Sequence, residues 1–208
     1  MEEIQEMKKG KYIVVEGIDG SGKTSVINRL IRDYNNRLIV SKMEPRLDTK
    51  FGRLIRDTLR ENSAGPDELQ MLFSLDRMGC ADNIKYLLDT GHTVLSDRSY
   101  ISGLVYSDST FASDITEVLI KHDYVVIPDV VILLNVDPRT ALSRINSDNE
   151  RVVKEVFEEF DNLTKVSERY LNFIRSLRVG TWSIIDANKS LEDVVNEVKC
   201  IIEPVLGK

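Results

Sequence analysis

The stretch Gly17-Ile18-Asp19-Gly20-Ser21-Gly22-Lys23-Thr24 satisfies the pattern G-x-x-x-x-G-K-[ST] at every fixed position. Its flanks restrict the fold further. Before it runs Tyr12-Ile13-Val14-Val15, an apolar segment that predicts a buried strand. After it, Val26, Ile27, Leu30 and Ile31 recur at helical spacing on one face. A strand that turns through glycines into a helix points backbone N–H groups and a helix N-terminus at one place, which is what phosphate oxygens need. In this reading Gly17, Ile18, Asp19, Gly20, Ser21 and Gly22 cradle the phosphates of a nucleotide, Lys23 reaches its β- and γ-phosphates, and the Thr24 hydroxyl ligates Mg²⁺. A Gly/Ser turn that binds nothing is the alternative, and the flanking strand and helix weigh against it.

The rest of the chain repeats the alternation. Further strands are expected at Leu38-Ile39-Val40, Thr93 to Ser96, Val130 to Val136 and Trp182 to Ile185. Helical patterns lie at Phe51 to Leu59, Pro66 to about Leu88, Tyr100 to Tyr106 and Ile115 to Lys121. Others start at Asp137-Pro138, run from about Val153 to Leu177, and close the chain from Leu191 to Val205. Five strands separated by helices predict an α/β fold, a parallel sheet with helices on both faces. Its length of 208 residues suits a single domain, 1–208, with a polar lead-in at 1–10 and a polar lid segment at 144–152. Ligands of such sheets bind at the carboxyl ends of the strands. Met43 to Arg46, Asp97-Arg98 and the Arg144–Arg151 stretch all follow strands, so the candidate polar residues fall on the rim that carries the glycine loop.

Composition narrows the partners. A net charge of −6 argues against a nucleic-acid-binding face, so an anionic substrate must be held by a few local Arg and Lys residues. No apolar segment approaches the ~18 residues of a membrane span, and residues 1–10 are too polar for a signal peptide. Cys80 and Cys200 are far apart and sit on helical patterns, which predicts reduced, buried or half-buried thiols in a cytoplasmic protein. His92 and His122, the only histidines, form no metal or triad spacing.

The loop alone leaves the reaction open, and a guanine-reading N-K-x-D is absent. Asp97, closing a strand, can hold Mg²⁺ or its water opposite Thr24, and Arg98 can fork onto a phosphate; a surface Asp–Arg pair is the alternative. Phe73 and Arg77 share a helix face, placing a ring and a guanidinium side by side as a nucleobase would require, although Phe73 with Leu69 and Leu72 also fits a core. Arg98, Ser102 and Tyr106 form a column spaced by four; Tyr106 could lie under a sugar ring or in the core. Arg144 and Arg151 suit a lid that closes over ATP and brings charge to the transferring phosphoryl, or else a solvated surface stretch.

Together these residues resemble the thymidylate kinase family over most of the chain. Glu16 to Thr24 is similar to its phosphate loop, Leu72-Phe73-Ser74-Leu75-Asp76-Arg77 to its base-binding helix, and Asp97-Arg98 with Ser102-Gly103 and Tyr106 to its D-R-[YH]-x-x-S segment. The resemblance implies a P-loop fold of the nucleoside monophosphate kinase type with a short lid. It implies transfer of a phosphoryl group from MgATP to dTMP, giving dTDP and ADP, in a cytoplasmic homodimer. On matching positions Asp19 contacts the sugar 3′-hydroxyl, Phe73 stacks on thymine and Arg77 hydrogen-bonds it. Arg98 holds the acceptor phosphate with Arg46 as helper, Ser102 adjoins the substrate, and Tyr106 crowds the 2′ position. Lys23, Asp19, Arg98 and Arg151 are the catalytic set, with Arg144 on ATP and Thr24 and Asp97 at the metal. No general base is needed, because the acceptor phosphate, with a second pKa of about 6, is already largely dianionic.

The chain departs from the family pattern in three places. Ser99 stands where the pattern has Tyr or His, Met43 and Arg46-Leu47 stand where many members have R-E-P-G-G, and Gly20 rather than Arg follows Asp19. The last departure assigns the catalytic cation to the lid, to Arg151 first and Arg144 second. Two rivals remain: a deoxynucleoside kinase, whose [ED]-R-S segment is matched by Asp97-Arg98-Ser99, and a non-catalytic nucleotide-binding regulator.

Overall fold

A computed structural model describes residues 9–34, 38–41, 44–46, 48–107, 109–147, 159–176 and 181–207. Among these the strands are β1 (Tyr12–Glu16), β2 (Leu38–Ser41), β3 (Thr93–Asp97), β4 (Val130–Asn135) and β5 (Thr181–Asp186). They form one parallel sheet in the order β2-β3-β1-β4-β5, as the alternation of strands and helices predicts. The helices are α1 (Lys23–Tyr34), α2 (Lys50–Glu61), α3 (Pro66–Asp89), α4 (Tyr100–Tyr106), α5 (Thr110–Lys121), α6 (Pro138–Asn146), α7 (Phe160–Ser176) and α8 (Leu191–Val205).

The central strand shows why the run at Tyr12 reads as continuously apolar. Side chains alternate across a strand, so Ile13 and Val15 pack with residues of α1, α4, α6, α7 and α8 on one face. Tyr12 and Val14 pack with Ile84 and Leu88 of α3 on the other. Both faces are covered, so no position of β1 is left for a solvated residue. Every residue of β1 and β3 is buried, including the charged residues that close them, Glu16 and Asp97. Those two carboxylates come out on the same rim.

Helix starts follow local hydrogen-bond chemistry. Pro66 occupies the first turn of α3, and the Glu68 carboxylate accepts from Gly65 N–H at 2.9 Å. Asp137 caps α6 by accepting from Arg139 and Thr140 N–H. α5 begins at Thr110 rather than at Ile115, because the Ser109 hydroxyl accepts from Phe111 N–H at 3.1 Å and opens the helix early. Arg144 lies in the last turn of α6 and not in a lid loop. Residues 148–152 of the expected lid, Arg151 among them, and the expected start of the long helix at Val153 lie outside the described residues. Cys80 is half-buried as expected, but Cys200 is exposed, on the outer side of α8. No described helix is long and apolar enough to cross a membrane.

Candidate active site

Past the carboxyl ends of the strands opens a cavity of about 880 Å³. Its wall includes Asp19, Gly20, Gly22, Lys23 and Thr24 from the glycine loop and α1, Phe73 and Arg77 from α3, and Asp97 and Arg98 from the end of β3. Ser102 and Tyr106 from α4 and Arg144 from α6 join them, so most of the residues that the sequence singled out share this wall. Residues spread over more than 120 positions thus meet around one space.

The phosphate side is pre-shaped. Lys23 Nζ donates to the carbonyls of Gly17 and Ile18 at 3.0 Å each, with Ser21 Oγ at 3.5 Å. Its ammonium is held inside the loop, and burial, with Arg98 beside it, pulls its pKa down to about 8. Gly20 has φ of 77°, and a Cβ there would lie 2.4 Å from the Ala141 carbonyl oxygen. An arginine in its place is therefore disfavoured twice, by backbone conformation and by the approach of α6. A guanidinium comes from across the loop instead: Arg144 donates to Gly20 O at 3.5 Å and to Ala187 O at 3.0 Å.

Thr24 Oγ1 donates to Asp97 Oδ2 at 2.9 Å. Asp97 is 3% exposed, and its Oδ1 is buried with no hydrogen-bond partner among the described residues. A buried carboxylate oxygen left unpaired is costly, and one aimed beside a threonine hydroxyl at the phosphate loop fits a hard cation such as Mg²⁺.

Arg98 is the hub of the opposite side. The residue has φ of 72°, a left-handed conformation for a bulky side chain. This conformation turns the guanidinium back over the loop. One Nη donates to Gly17 O at 3.3 Å and Ser102 Oγ at 3.1 Å; the other pairs with Asp19 and with Tyr106 OH at 3.0 Å. Tyr106 OH in turn donates to Asp19 Oδ2 at 3.2 Å, with its ring 4.9 Å from the guanidinium carbon. The column expected from the spacing of four is present, although Arg98 precedes the helix.

Beyond it, Phe73 and Arg77 stand side by side, the guanidinium 5.4 Å from the ring centroid. Arg77 Nε donates to Glu44 at 2.8 Å. Burial raises the Glu44 pKa, and Arg77 opposes that rise.

This gathering matches a known family. The thymidylate kinase family model matches residues 15–198. The chain belongs to the thymidylate kinase family. A probable thymidylate kinase of Methanobrevibacter smithii is 35% identical over 203 residues, covering 94% of this chain and 96% of its own. The thymidylate kinase of Plasmodium falciparum is 34% identical over 195 residues, covering 92% and 89%. The solved structure of thymidylate kinase from Candida albicans superposes with a TM-score of 0.76 at 23% identity, covering 94% of this chain and 92% of that one, which carries the fold.

Against the expectations for a thymidylate kinase, one residue is displaced. Arg46 is not part of the cleft wall. Its backbone N–H donates to Asp76 at 3.0 Å and its Nε lies 3.6 Å from the same carboxylate, so it fastens the segment after β2 to α3. Asp76 is 1% exposed and engages Arg46 in this structure. The reading of the sequence also missed residues of the cleft. Arg56 of α2, Gln70 of α3 and Lys165 and Arg169 of α7 line it. Glu16, at the foot of the loop, accepts from Ser99, Ser102 and Tyr170 at 2.7–2.8 Å. A carboxylate ending an apolar strand was a usable signal for Glu16. No local pattern marks Tyr170, 154 residues away.

Proposed function

We propose that this protein phosphorylates dTMP at the expense of MgATP, giving dTDP and ADP, and that Arg98 holds the acceptor phosphate. The observation that carries the reading is one cleft that joins the P-loop, through Arg98, Asp19 and Tyr106, to the Phe73–Arg77 pair. The loop N–H groups and Lys23 grip the donor phosphates from one end. Arg98 meets an anion from the other, and Phe73 offers a face to a base. Asp19 and Tyr106 lie between them, at the height of the sugar. An acceptor-phosphate oxygen attacks the γ-phosphorus as the bond to the β-phosphate oxygen breaks, and ADP leaves with that electron pair. Lys23, Arg98 and Arg144 supply fixed positive charge along this line without a proton transfer. Mg²⁺, held by Thr24 and the free oxygen of Asp97, would neutralise the β- and γ-phosphates when bound. Arg151 remains the candidate for a further transition-state cation.

A 5′-hydroxyl acceptor would need a carboxylate base. Two carboxylates of the cleft are already committed, Asp19 to Arg98 and Glu44 to Arg77, which favours the monophosphate. The exposed Phe51 and Leu54, three apart on α2, fit the homodimer that the resemblance implies; a cytoplasmic location rests on the resemblance alone. The deciding assay is ADP production against a panel of nucleosides and nucleoside monophosphates. Turnover with dTMP well above that with thymidine is expected. Faster turnover of thymidine would replace this reading with a deoxynucleoside kinase, and ATP binding without ADP release would leave a regulator.

A further inference from the structure

Gln70 and Arg77 lie two helical turns apart on the same side of α3, and each is only 5% exposed. Each carries a buried nitrogen with no hydrogen-bond partner among the described residues, Gln70 Nε2 and Arg77 Nη1. Buried donors left unpaired are uncommon and costly, so two of them together require an explanation. The nitrogens converge on Gly103 of α4. A Cβ at that position would lie 2.6 Å from Arg77 Nη1, 2.8 Å from Gln70 Nε2 and 3.1 Å from Gln70 Oε1. A glycine is what lets both polar groups reach this corner, and all three residues line the cleft beside Phe73.

We infer that Gln70 is a base-specificity residue, its carboxamide reading the N3–H edge of the pyrimidine that stacks on Phe73. This rests on the reading of the cleft as a dTMP site. Thymine presents the N3–H donor flanked by carbonyl oxygens. A carboxamide offers the complement: Oε1 accepts from N3–H while Nε2 donates to an adjoining carbonyl. Arg77 Nη1 donates to O4. The two groups have different powers of discrimination. A carboxamide can turn over and pair equally with cytosine, whose N3 accepts and whose N4 donates. Arg77 can only donate, so it opposes the amino group of cytosine. Gln70 therefore secures the N3 edge and rejects a base that has no polar group there, while Arg77 selects the 4-keto group and is left unpaired by cytosine.

The test compares dTMP with its N3-methyl analogue, in which a methyl group replaces the N3 hydrogen and both keto groups are kept, on wild type and Gln70→Met. For the wild type, kcat/KM is expected to fall roughly tenfold or more with the analogue. Gln70→Met is expected to raise KM for dTMP by a similar factor, to leave KM for ATP unchanged, and to use dTMP and the analogue about equally well. Gly103→Ala, whose methyl presses on the same nitrogens from α4, should raise KM for dTMP by an independent route even if Gln70→Met does not fold. A folded Gln70→Met enzyme that still discriminates between dTMP and the analogue as wild type does would overturn the assignment. Wild type that turns over dTMP but ignores the change at N3 would overturn it too. No turnover of dTMP by wild type would remove the acceptor reading itself, and this proposal with it.

Discussion

Glu16 is 0% exposed, and the hydroxyls that reach it come from the start of α4 and from α7. Ser99 Oγ donates to one carboxylate oxygen at 2.8 Å; Ser102 Oγ and Tyr170 OH donate to the other at 2.7 and 2.8 Å. The same Ser102 Oγ accepts from Arg98, so the buried charge indirectly fixes the guanidinium assigned to the acceptor phosphate. This also accounts for the serine at 99. Its short hydroxyl both donates inward to Glu16 and accepts from Ile101 N–H at 3.2 Å, capping α4. Glu16→Ala would remove the acceptor shared by three buried hydroxyls, leaving Ser102 and Tyr170, 2.9 Å apart, only each other. Its unfolding free energy in urea is expected to fall by roughly 2–4 kcal/mol. Tyr170→Phe removes one donor only and should cost about 1 kcal/mol. Equal stability of Glu16→Ala and wild type would mean that the hydroxyls find other partners and that the hub is incidental.

At the scale of elements, α2 and α3 form the wall of the cleft proposed for the base, and Gly52 lets the first turn of α2 close on the Arg46 segment that Asp76 ties to α3. A Cβ at Gly52 would lie 1.8 Å from the Arg46 carbonyl oxygen, a backbone atom that cannot step aside. Helix propensity alone would make Gly52→Ala a gain of about 1 kcal/mol. The overlap reverses the sign, and a loss of roughly 2 kcal/mol is expected from thermal melting. Gly79→Ala on exposed α3 surface is the control: its Cβ would meet only the flexible Arg46 Nη2, at 3.2 Å, so it should be neutral or stabilising. A Gly52→Ala protein as stable as the control would show that the turn before α2 is soft. The thiol of Cys80 on α3 is pushed up to about 12 by burial. At pH 8 on the order of one part in 10⁴ is thiolate, so iodoacetamide should label exposed Cys200 first and Cys200→Ser should abolish rapid labelling. Rapid labelling of Cys80 in that variant would contradict its burial. Most strands and helix starts were legible because their signals are local: buried strands read as apolar runs, and caps and Pro66 mark first turns. The fate of Arg46 was not, because Asp76 competes for it across 30 residues. Nor does any local signal show that α6, 121 residues on, fills the space beside Gly20.

The whole molecule places two ligand halves on one sheet, and that arrangement can be tested through stability. β1 delivers the loop at the middle of the sheet, between β3 and β4. The donor half is closed by α1 and α6, and the acceptor half by α2, α3 and α4, so each ligand binds groups that exist only in the folded chain. A ligand at about 100 times its Kd should therefore add about 2.7 kcal/mol, and ADP and dTMP should stabilise independently. Sequence proximity cannot separate the halves, since Asp19 and Lys23 share one loop, yet the structure directs Asp19 toward Arg98 and Lys23 into the loop. Arg98→Ala is then expected to lose the dTMP increment and keep that of ADP, while Lys23→Ala does the opposite. Thermal melts of the two variants with each ligand form a four-way comparison. Crossed losses would support two sites joined at Arg98. If each variant lost both increments, Lys23 and Arg98 would be general supports of the cleft, and their assignment to separate phosphates would fall.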